Sequence, residues 1–403
     1  MDDRVAQLMA RGVEVLNPAT VTLGREVDLN RIAPGVVIHP GCRILGAGTW
    51  LAEGAELGRE APVTIENCRL AKNVKLAGGY FRESVLLEDA SFGSGAQVRE
   101  HCLIEEQAGG AHAVGLKQTI LMPFVTLGSL INFCDCLMSG GTSRKDHSEV
   151  GSSYIHFNFT PNQDKATPSL IGDVAKGVML RERPIFLGGQ GGLVGPSRIA
   201  YGSVIAAGII MRENLTEENR LIGAVAAGEP RDQQFVPGIY WKVKAKFINN
   251  VNYIANLIAL TRWYESVRAL FLDQALVDGA LKLLNAAIDE RLKRLDEFVA
   301  KLPVSLELYQ LHLRHIASES LVKQKQELLA AWPRLREELE GLRAYRGDER
   351  LLEVFLERLP QRLDYLSAIR SLDTESREIG SWWLMVIVNH VNQQIRKQLP
   401  SFV

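Results

Sequence analysis

A neutral imidazole is the usual side-chain base near pH 7, and two histidines stand in settings that suit such work. His147 lies in Lys145-Asp146-His147-Ser148-Glu149, where the carboxylate of Asp146 can orient the ring and raise its basicity. The bland reading of the same stretch is a polar surface loop. His156 lies in Tyr154-Ile155-His156-Phe157-Asn158. Alternation along an extended chain places its side chain on the same face as Asn158, and the bland reading is an outward structural histidine. Cys134-Asp135-Cys136 invites a metal or redox reading. C-x-C is not the usual C-x2-C, and no second pair exists, so no metal is expected and the cysteines read as small residues in a coil. The run Gly188-Gly189-Gln190-Gly191-Gly192-Leu193-Val194-Gly195 looks like a phosphate loop but lacks the Lys-Ser/Thr ending of one. Tight turns explain it better, with a cofactor running along bare backbone as the other reading. Arg181 and Arg183, just upstream, read either as phosphate contacts or as solvated charges.

Composition bounds the frame that holds these groups. The chain has 403 residues, 46% hydrophobic and 23% charged, enough for two or three soluble domains. Its 46 Lys+Arg balance 47 Asp+Glu. A nucleic-acid or membrane-surface binder usually carries a basic excess, so neither partner is expected. No apolar run reaches about 18 residues, so no membrane span is expected. The first residues are charged and lack a signal-peptide apolar stretch, which points to a cytoplasmic chain. Five cysteines, an odd number, read as free thiols.

Glycine is distributed unevenly. Of 35 glycines, 30 precede residue 236. Two architectures are joined, with a boundary near Phe235–Pro237. Counting in sixes explains the first. Ile32, Ile38, Leu45 (after a one-residue slip), Leu51 and Leu57 each open a hexad, with Val36, Cys42, Thr49, Ala55 and Ala61 four places later. The register returns at Phe92, Val98 and Ile104, at Leu121, Leu127 and Phe133, and at Ile199 and Ile205. A period of six matches neither a helix nor an alternating strand. It predicts a β-solenoid with three flat sides per coil, aliphatic residues stacked inside and glycine at the corners. Roughly 11 coils and a prism on the order of 50 Å follow from the strand spacing. Residues 63–91 and 138–170 break the count and read as loops or irregular corners.

The ordered segments carry a resemblance. The helix and lead-in RVAQLMARGVEVLNPATVTLG (4–24), the stretch IHFNFTPNQDKATPSLIGD (155–173) and the stretch IFLGGQGGLVGPSRIAYGSVIAAG (185–208) resemble the left-handed β-helix acyltransferases with hexapeptide repeats. The likeness is in particular to the acetyltransferase half of the bifunctional N-acetylglucosamine-1-phosphate uridylyltransferase/glucosamine-1-phosphate acetyltransferases. It runs from about residue 4 to 231, with no uridylyltransferase domain before it. The resemblance implies a homotrimer, with acetyl-CoA or another acyl-CoA lying along the prism between subunits and a sugar phosphate or sugar nucleotide as acceptor. It assigns the acceptor phosphate to Arg99 and Lys117, the acceptor and acetyl group to Asn158 and Phe159, and the cofactor to Gly189, Ala206 and Arg231. Ser129 stands where the family has its base histidine, and Asn132 where it has a tyrosine, with extra residues following within SGGTSRKDHSEVG (139–151). His147, His156 and Asp146 are therefore the candidate catalytic residues, and Asn132 a candidate for acceptor binding. The zinc carbonic anhydrases with hexapeptide repeats need two histidines five apart. His101 and His112 are 11 apart and His147 and His156 nine, so that activity is not expected.

From about Ile239 the spacing turns helical. Stripes run through Ile254, Leu257, Ile258, Thr261 and Phe271, and through Leu281, Leu284, Ile288, Leu292, Leu295, Phe298 and Leu302. Others follow through Leu328 to Leu342, interrupted by Pro333, through Leu352 to Ile369, and through Trp383 to Val391. Five or six helices are expected, with His312, His315 and His390 on helix faces. The expected domains are a short helix and lead-in over 1–20, a left-handed parallel β-helix over 21–235 and an all-α bundle over 236–403. The expected function is an acyl-CoA-dependent N- or O-acyltransferase working at inter-subunit clefts. The alternative is an inactive trimer that binds sugar nucleotides or serves as a scaffold.

Overall fold

The structure, a computed structural model, describes residues 2–223, 235–313 and 318–402. Helix α1 (Asp3–Ala10) opens the chain. The Asp2 side chain caps it by accepting from the Arg4 N–H, and Val5 and Leu8 are buried at the start of the solenoid core.

Three parallel sheets of eleven, ten and eight strands follow. The first face runs from Glu14–Val15 to Leu221–Ile222, the second from Thr22–Leu23 to Ile210–Met211, and the third from Trp50–Leu51 to Arg198–Ile199. Each strand pairs with its counterpart one coil away, as Ile38 does with Leu57 and Phe92 with Gly110. The coil number is the one the hexads predict. Ile38, Leu57, Leu76, Phe92, Leu127, Val150, Leu187 and Ile205 stack inward along the first face, all buried. Gly110 falls in that column, and its missing side chain leaves room for Val114, whose Cγ2 would lie 2.8 Å from a Cβ there.

Two details of the hexad count differ. Ile44, not Leu45, points inward, so the slip falls one step later, at Gly46-Ala47-Gly48. Two adjacent aliphatic residues made the two registers look alike. Residues 63–91 are not a gap: Val63, Ile65, Leu70, Leu76, Phe81 and Leu86 are buried in regular coils. These coils are shorter than three hexads, since Leu86 pairs directly with Leu70. Residues 138–170 do hold irregular structure, an antiparallel hairpin (Gly141–Ser143 with Asp146–His147) and the loop after strand Ile155–Phe157. The corners need left-handed backbone, and glycine supplies only part of it. At the corner between the second and third faces the positive φ belongs to Asn67 (54°), Glu83 (44°), His101 (65°), Gln118 (49°) and Asp135 (60°).

The helical region comprises α3 (Val243–Ser266), α4 (Gln274–Ala300), α5 (Leu302–Leu313), α6 (Glu319–Leu342), α7 (Glu349–Arg358), α8 (Tyr365–Ser371) and α9 (Thr374–Arg396). A short helix α2 (Val174–Gly177), inserted in the solenoid, packs against α3 and α9. Helix α6 passes through Pro333 without breaking. Helix α3 is central. Nearly every residue from Asn249 to Tyr264 is buried, so the single stripe expected there is a helix covered on all sides.

The helices do not sit on the end of the prism. Helices α3 and α4 cover the third face, and one apolar cluster joins Val85, Leu103, Ile120, Leu137 and Leu170 of the solenoid to Val251, Leu257, Leu284 and Leu295 of the helices. Several buried polar groups along this contact are paired, while Asn252 Nδ2, Arg268 Nε and Arg291 Nη1 have no hydrogen-bond partner among the described residues. Asn249, Asn250 and Asn256 reach the backbone of Pro196, Ala166 and Val174, satisfying irregular solenoid turns that have no ladder partner. Arg291 pairs with Asp135 at 2.9 Å. Tyr264 donates to Glu105 at 2.6 Å, and the fully buried Arg268 pairs with Glu106 while its guanidinium lies 3.7 Å from the centre of the Tyr365 ring.

Candidate functional site

With the third face covered, chemistry with external molecules falls to the first and second faces and the edge between them. That edge is built by turns of consecutive coils. It reads Gly93-Ser94-Gly95, Ala111-His112-Ala113, Gly128-Ser129-Leu130, Gly151-Ser152-Ser153, Gly188-Gly189-Gln190 and Ala206-Ala207-Gly208. These six turns carry no Lys, Arg, Asp or Glu. The coils approach closely: a Cβ at Gly151 would lie 2.4 Å from the Gly189 nitrogen, and one at Gly188 would lie 2.3 Å from the Ala207 nitrogen. Bare backbone is a steric requirement of this stack, which accounts for the Gly188–Gly195 run. Gly189 and Ala206 both lie on it, where the resemblance places a cofactor. Arg231 lies outside the described residues.

On this edge sits a pair that spacing did not reveal. The Ser129 hydroxyl is 2.9 Å from His112 Nδ1, with His112 exposed and Ser129 half-buried. The Ser129 N–H donates to the Ser152 hydroxyl at 3.2 Å, and the Leu130 N–H to the His112 carbonyl at 3.1 Å. One coil separates the two residues. The signal in the sequence was that coil length, applied from Ser129 back to His112.

The far edge of the second face carries the basic residues. Lys117 ends the strand Gly115–Lys117, and the Arg99 N–H donates to the Leu116 carbonyl, which sets Arg99 beside it one coil earlier. Glu100 lies with them, 2.9 Å from Lys117 Nζ and 3.8 Å from Arg99 Nε. Burial works against ionisation of Glu100, but the Lys117 hydrogen bond and the two cations hold its carboxyl down at about 2. The cluster keeps one net positive charge, enough to favour an anion. A three-residue strand spans about 7 Å, so the basic cluster and the His112–Ser129 edge flank one narrow sheet.

Asn132 is exposed at the start of the next second-face strand, and Asn158 and Phe159 are exposed just past the end of strand Ile155–Phe157. Asn158 Oδ1 accepts from the Thr167 hydroxyl at 2.8 Å. Arg99, Lys117, Asn132, Asn158 and Phe159 thus lie along one face. Cys134 lies next to Lys117 in register, and burial pushes its thiol up to about 11. Cys136 belongs to the third face and points inward, so the two thiols do not converge. Among the described residues no group of three His, Cys, Asp or Glu side chains is placed to hold a metal ion.

The candidate bases fare differently. His156 does not share a face with Asn158. It points into the core at 4% exposure, and its Nε2 is 2.8 Å from the Ser169 hydroxyl. Burial pushes its pKa down to about 4. The chain leaves the strand after Phe157, so alternation does not carry through to Asn158. His147 lies on the hairpin at the corner between the third and first faces, away from the basic cluster. Its Nδ1 is 2.9 Å from the Arg144 carbonyl and its Nε2 3.9 Å from Glu149. Asp146 does not orient it, because that carboxylate accepts from the Thr142 hydroxyl at 2.9 Å. Arg183 donates to Asn219 at 2.8 Å, and Arg181 lies 3.9 Å from Glu182. Elsewhere, His312 is exposed on α5, His390 stacks on Tyr345 at 4.1 Å and His315 lies outside the described residues.

No family model matches the chain. The chain is similar to the bifunctional protein GlmU of Thermotoga petrophila, 28% identical over 222 residues, covering 53% of this chain and 42% of that protein. The bifunctional protein GlmU of Pelobacter propionicus is 27% identical over 202 residues, covering 50% and 39%, and that of Fervidobacterium nodosum 24% over 247 residues, covering 61% and 48%. The chain thus spans less than half the length of these relatives. Among solved structures, a UDP-N-acetylglucosamine acyltransferase is 18% identical, covering 49% of this chain and 65% of its own, with a TM-score of 0.17. No described helix is long and apolar enough to cross a membrane.

Proposed function

Starting from a parallel β-solenoid of the hexapeptide-repeat acyltransferase type, related by sequence to GlmU, we propose that the protein transfers an acyl group from acyl-CoA, acetyl-CoA in the first instance, to a sugar phosphate or sugar nucleotide. The observation that carries this reading is the second face, with a charged cluster along one edge and an uncharged, backbone-lined edge along the other. Arg99 and Lys117 hold the acceptor's phosphate by charge-assisted hydrogen bonds. Asn132, Asn158 and Phe159 bound the acceptor and the acyl group. The cofactor runs along the glycine edge past Gly189 and Ala206, where no side chain blocks its approach.

A homotrimer fits this reading. Phe186, Val204 and Leu221 form an exposed apolar column on the first face, and Ile155 and Ile210 stand out on the second. A neighbouring copy of the chain would cover them. The setting we propose is the cytoplasm, where acyl-CoA is made and used.

Titration with acetyl-CoA tests the reading. Saturable binding below millimolar concentration, lost in a folded Ala207→Trp variant that places an indole on the exposed edge, is the expected result. No binding at millimolar cofactor by a folded protein overturns it. A second reading, a solenoid that binds sugar nucleotides without turning them over, is favoured by Ser129 in place of a base histidine. It predicts that the acceptor binds and acetyl-CoA does not.

A further inference from the structure

We infer that His112 is the general base of this site and that Ser129 positions it. The inference rests on the acyl-transfer reading above. A base must be accessible, must have one ring nitrogen free, and must lie where donor and acceptor meet. On the glycine edge, from Gly93 to Gly208, His112 is the one histidine. The other solenoid histidines fail one condition or another. His156 is buried and held neutral, and His147 stands at another corner with Nδ1 against a carbonyl. His39 is 3.0 Å from Glu56 near the start of the prism, and His101 has its Nδ1 buried at the corner between the second and third faces.

The Ser129 hydroxyl can donate or accept, so the 2.9 Å pair forms with either tautomer of His112; in the tautomer that acts as base, Ser129 accepts from Nδ1–H and the lone pair of the exposed ring is on Nε2. The Ser129 backbone is itself pinned by the Ser152 hydroxyl, so the orienting group is fixed by the coil stack rather than by a mobile loop.

The step balances without a further reactant. The lone pair of the acceptor's amine or hydroxyl attacks the thioester carbonyl carbon, a new N–C or O–C bond forms, and the carbonyl electrons move onto oxygen. His112 Nε2 takes the proton from the attacking atom. The oxyanion then collapses, the C–S bond breaks, and the imidazolium returns its proton to the thiolate of coenzyme A.

The test uses the full chain and the acceptor on which the wild type is active. His112→Gln is expected to bind acetyl-CoA with unchanged affinity and to lose about 100-fold or more in kcat. His112→Ala is expected to recover part of that rate on addition of free imidazole. Ser129→Ala is expected to lower kcat several-fold at constant KM, and Ser129→Thr to restore it. Wild-type kcat in His112→Gln, or loss of activity only in His147→Gln, overturns the assignment of His112 while leaving acyl transfer intact. A wild type that neither binds acetyl-CoA nor transfers its acyl group overturns the reading on which the assignment rests, a separable outcome.

Discussion

Replacing His156 by Asn separates a core histidine from a catalytic one. In the wild type the ring is buried beside Ser169, and burial lowers its pKa from 6.5 to about 4. The unfolded chain takes up a proton near pH 6.5, whereas the folded chain resists it down to about pH 4. The unfolded state therefore binds more protons in this window, and stability is lost as pH falls below 6.5. Integrating between pH 8 and pH 5 gives a loss of about 2 kcal/mol from this residue alone. His156→Asn keeps a group able to pair with the Ser169 hydroxyl but removes the titration. Its unfolding free energy, measured by denaturant titration, should fall below that of the wild type at pH 8. The deficit should shrink by about 2 kcal/mol at pH 5. Turnover per folded molecule should change little. A deficit equal at both pH values refutes the burial argument. Turnover that collapses while folding is intact refutes the placement of His156 in the core.

Glu105 should act with the opposite sign. Burial pushes its carboxyl from 4.5 up to about 7, against the pull of Arg268, so the folded chain keeps a proton that the unfolded chain has released and stability falls as pH rises through that window. Glu105→Gln should remove that fall, seen as an unfolding free energy that rises more between pH 5 and pH 8 than the wild type's, because the opposing His156 contribution is then left alone. Arg291→Ala should cost about 3 kcal/mol by stranding the buried Asp135 carboxylate, and adding Asp135→Asn should recover part of it in the same assay. Gly188→Ala should cost about 2 kcal/mol, because its Cβ would fall 2.3 Å from the Ala207 nitrogen. Lys117→Met should raise KM for a phosphorylated acceptor about tenfold with kcat nearly unchanged, by removing one charge-assisted contact.

The six-residue period was enough to read the solenoid, its coil number and its inward columns, because each coil repeats the same steric demand. It misread where that demand is met differently. Ile44 and Leu45 are adjacent aliphatics, and only the position of the corner chooses between them. The corners at Asn67, Glu83, His101, Gln118 and Asp135 hold left-handed backbone without glycine, so counting glycine undercounts them. Helix α3 buries four asparagines, Asn249, Asn250, Asn252 and Asn256, that look like a polar face. Three of them bond the solenoid's irregular turns, a use visible only once the helices lie on the third face. At the candidate site, Arg99 and Lys117 were named by resemblance, and their shared contact with Glu100 was not visible in the sequence. His147 and Asp146 looked coupled by adjacency, yet on the hairpin the carboxylate turns to Thr142. His112 was passed over because its partner lies a full coil away.

The most direct test of the account is a transfer assay with the purified chain, acetyl-CoA and a panel of amino-sugar phosphates and nucleotide amino sugars, with products read by mass spectrometry. The account predicts an acetylated product from at least one phosphorylated acceptor, its yield cut about tenfold by Lys117→Met at subsaturating acceptor and abolished in His112→Gln. Binding of the acceptors with no acetylated product at any cofactor concentration would contradict it.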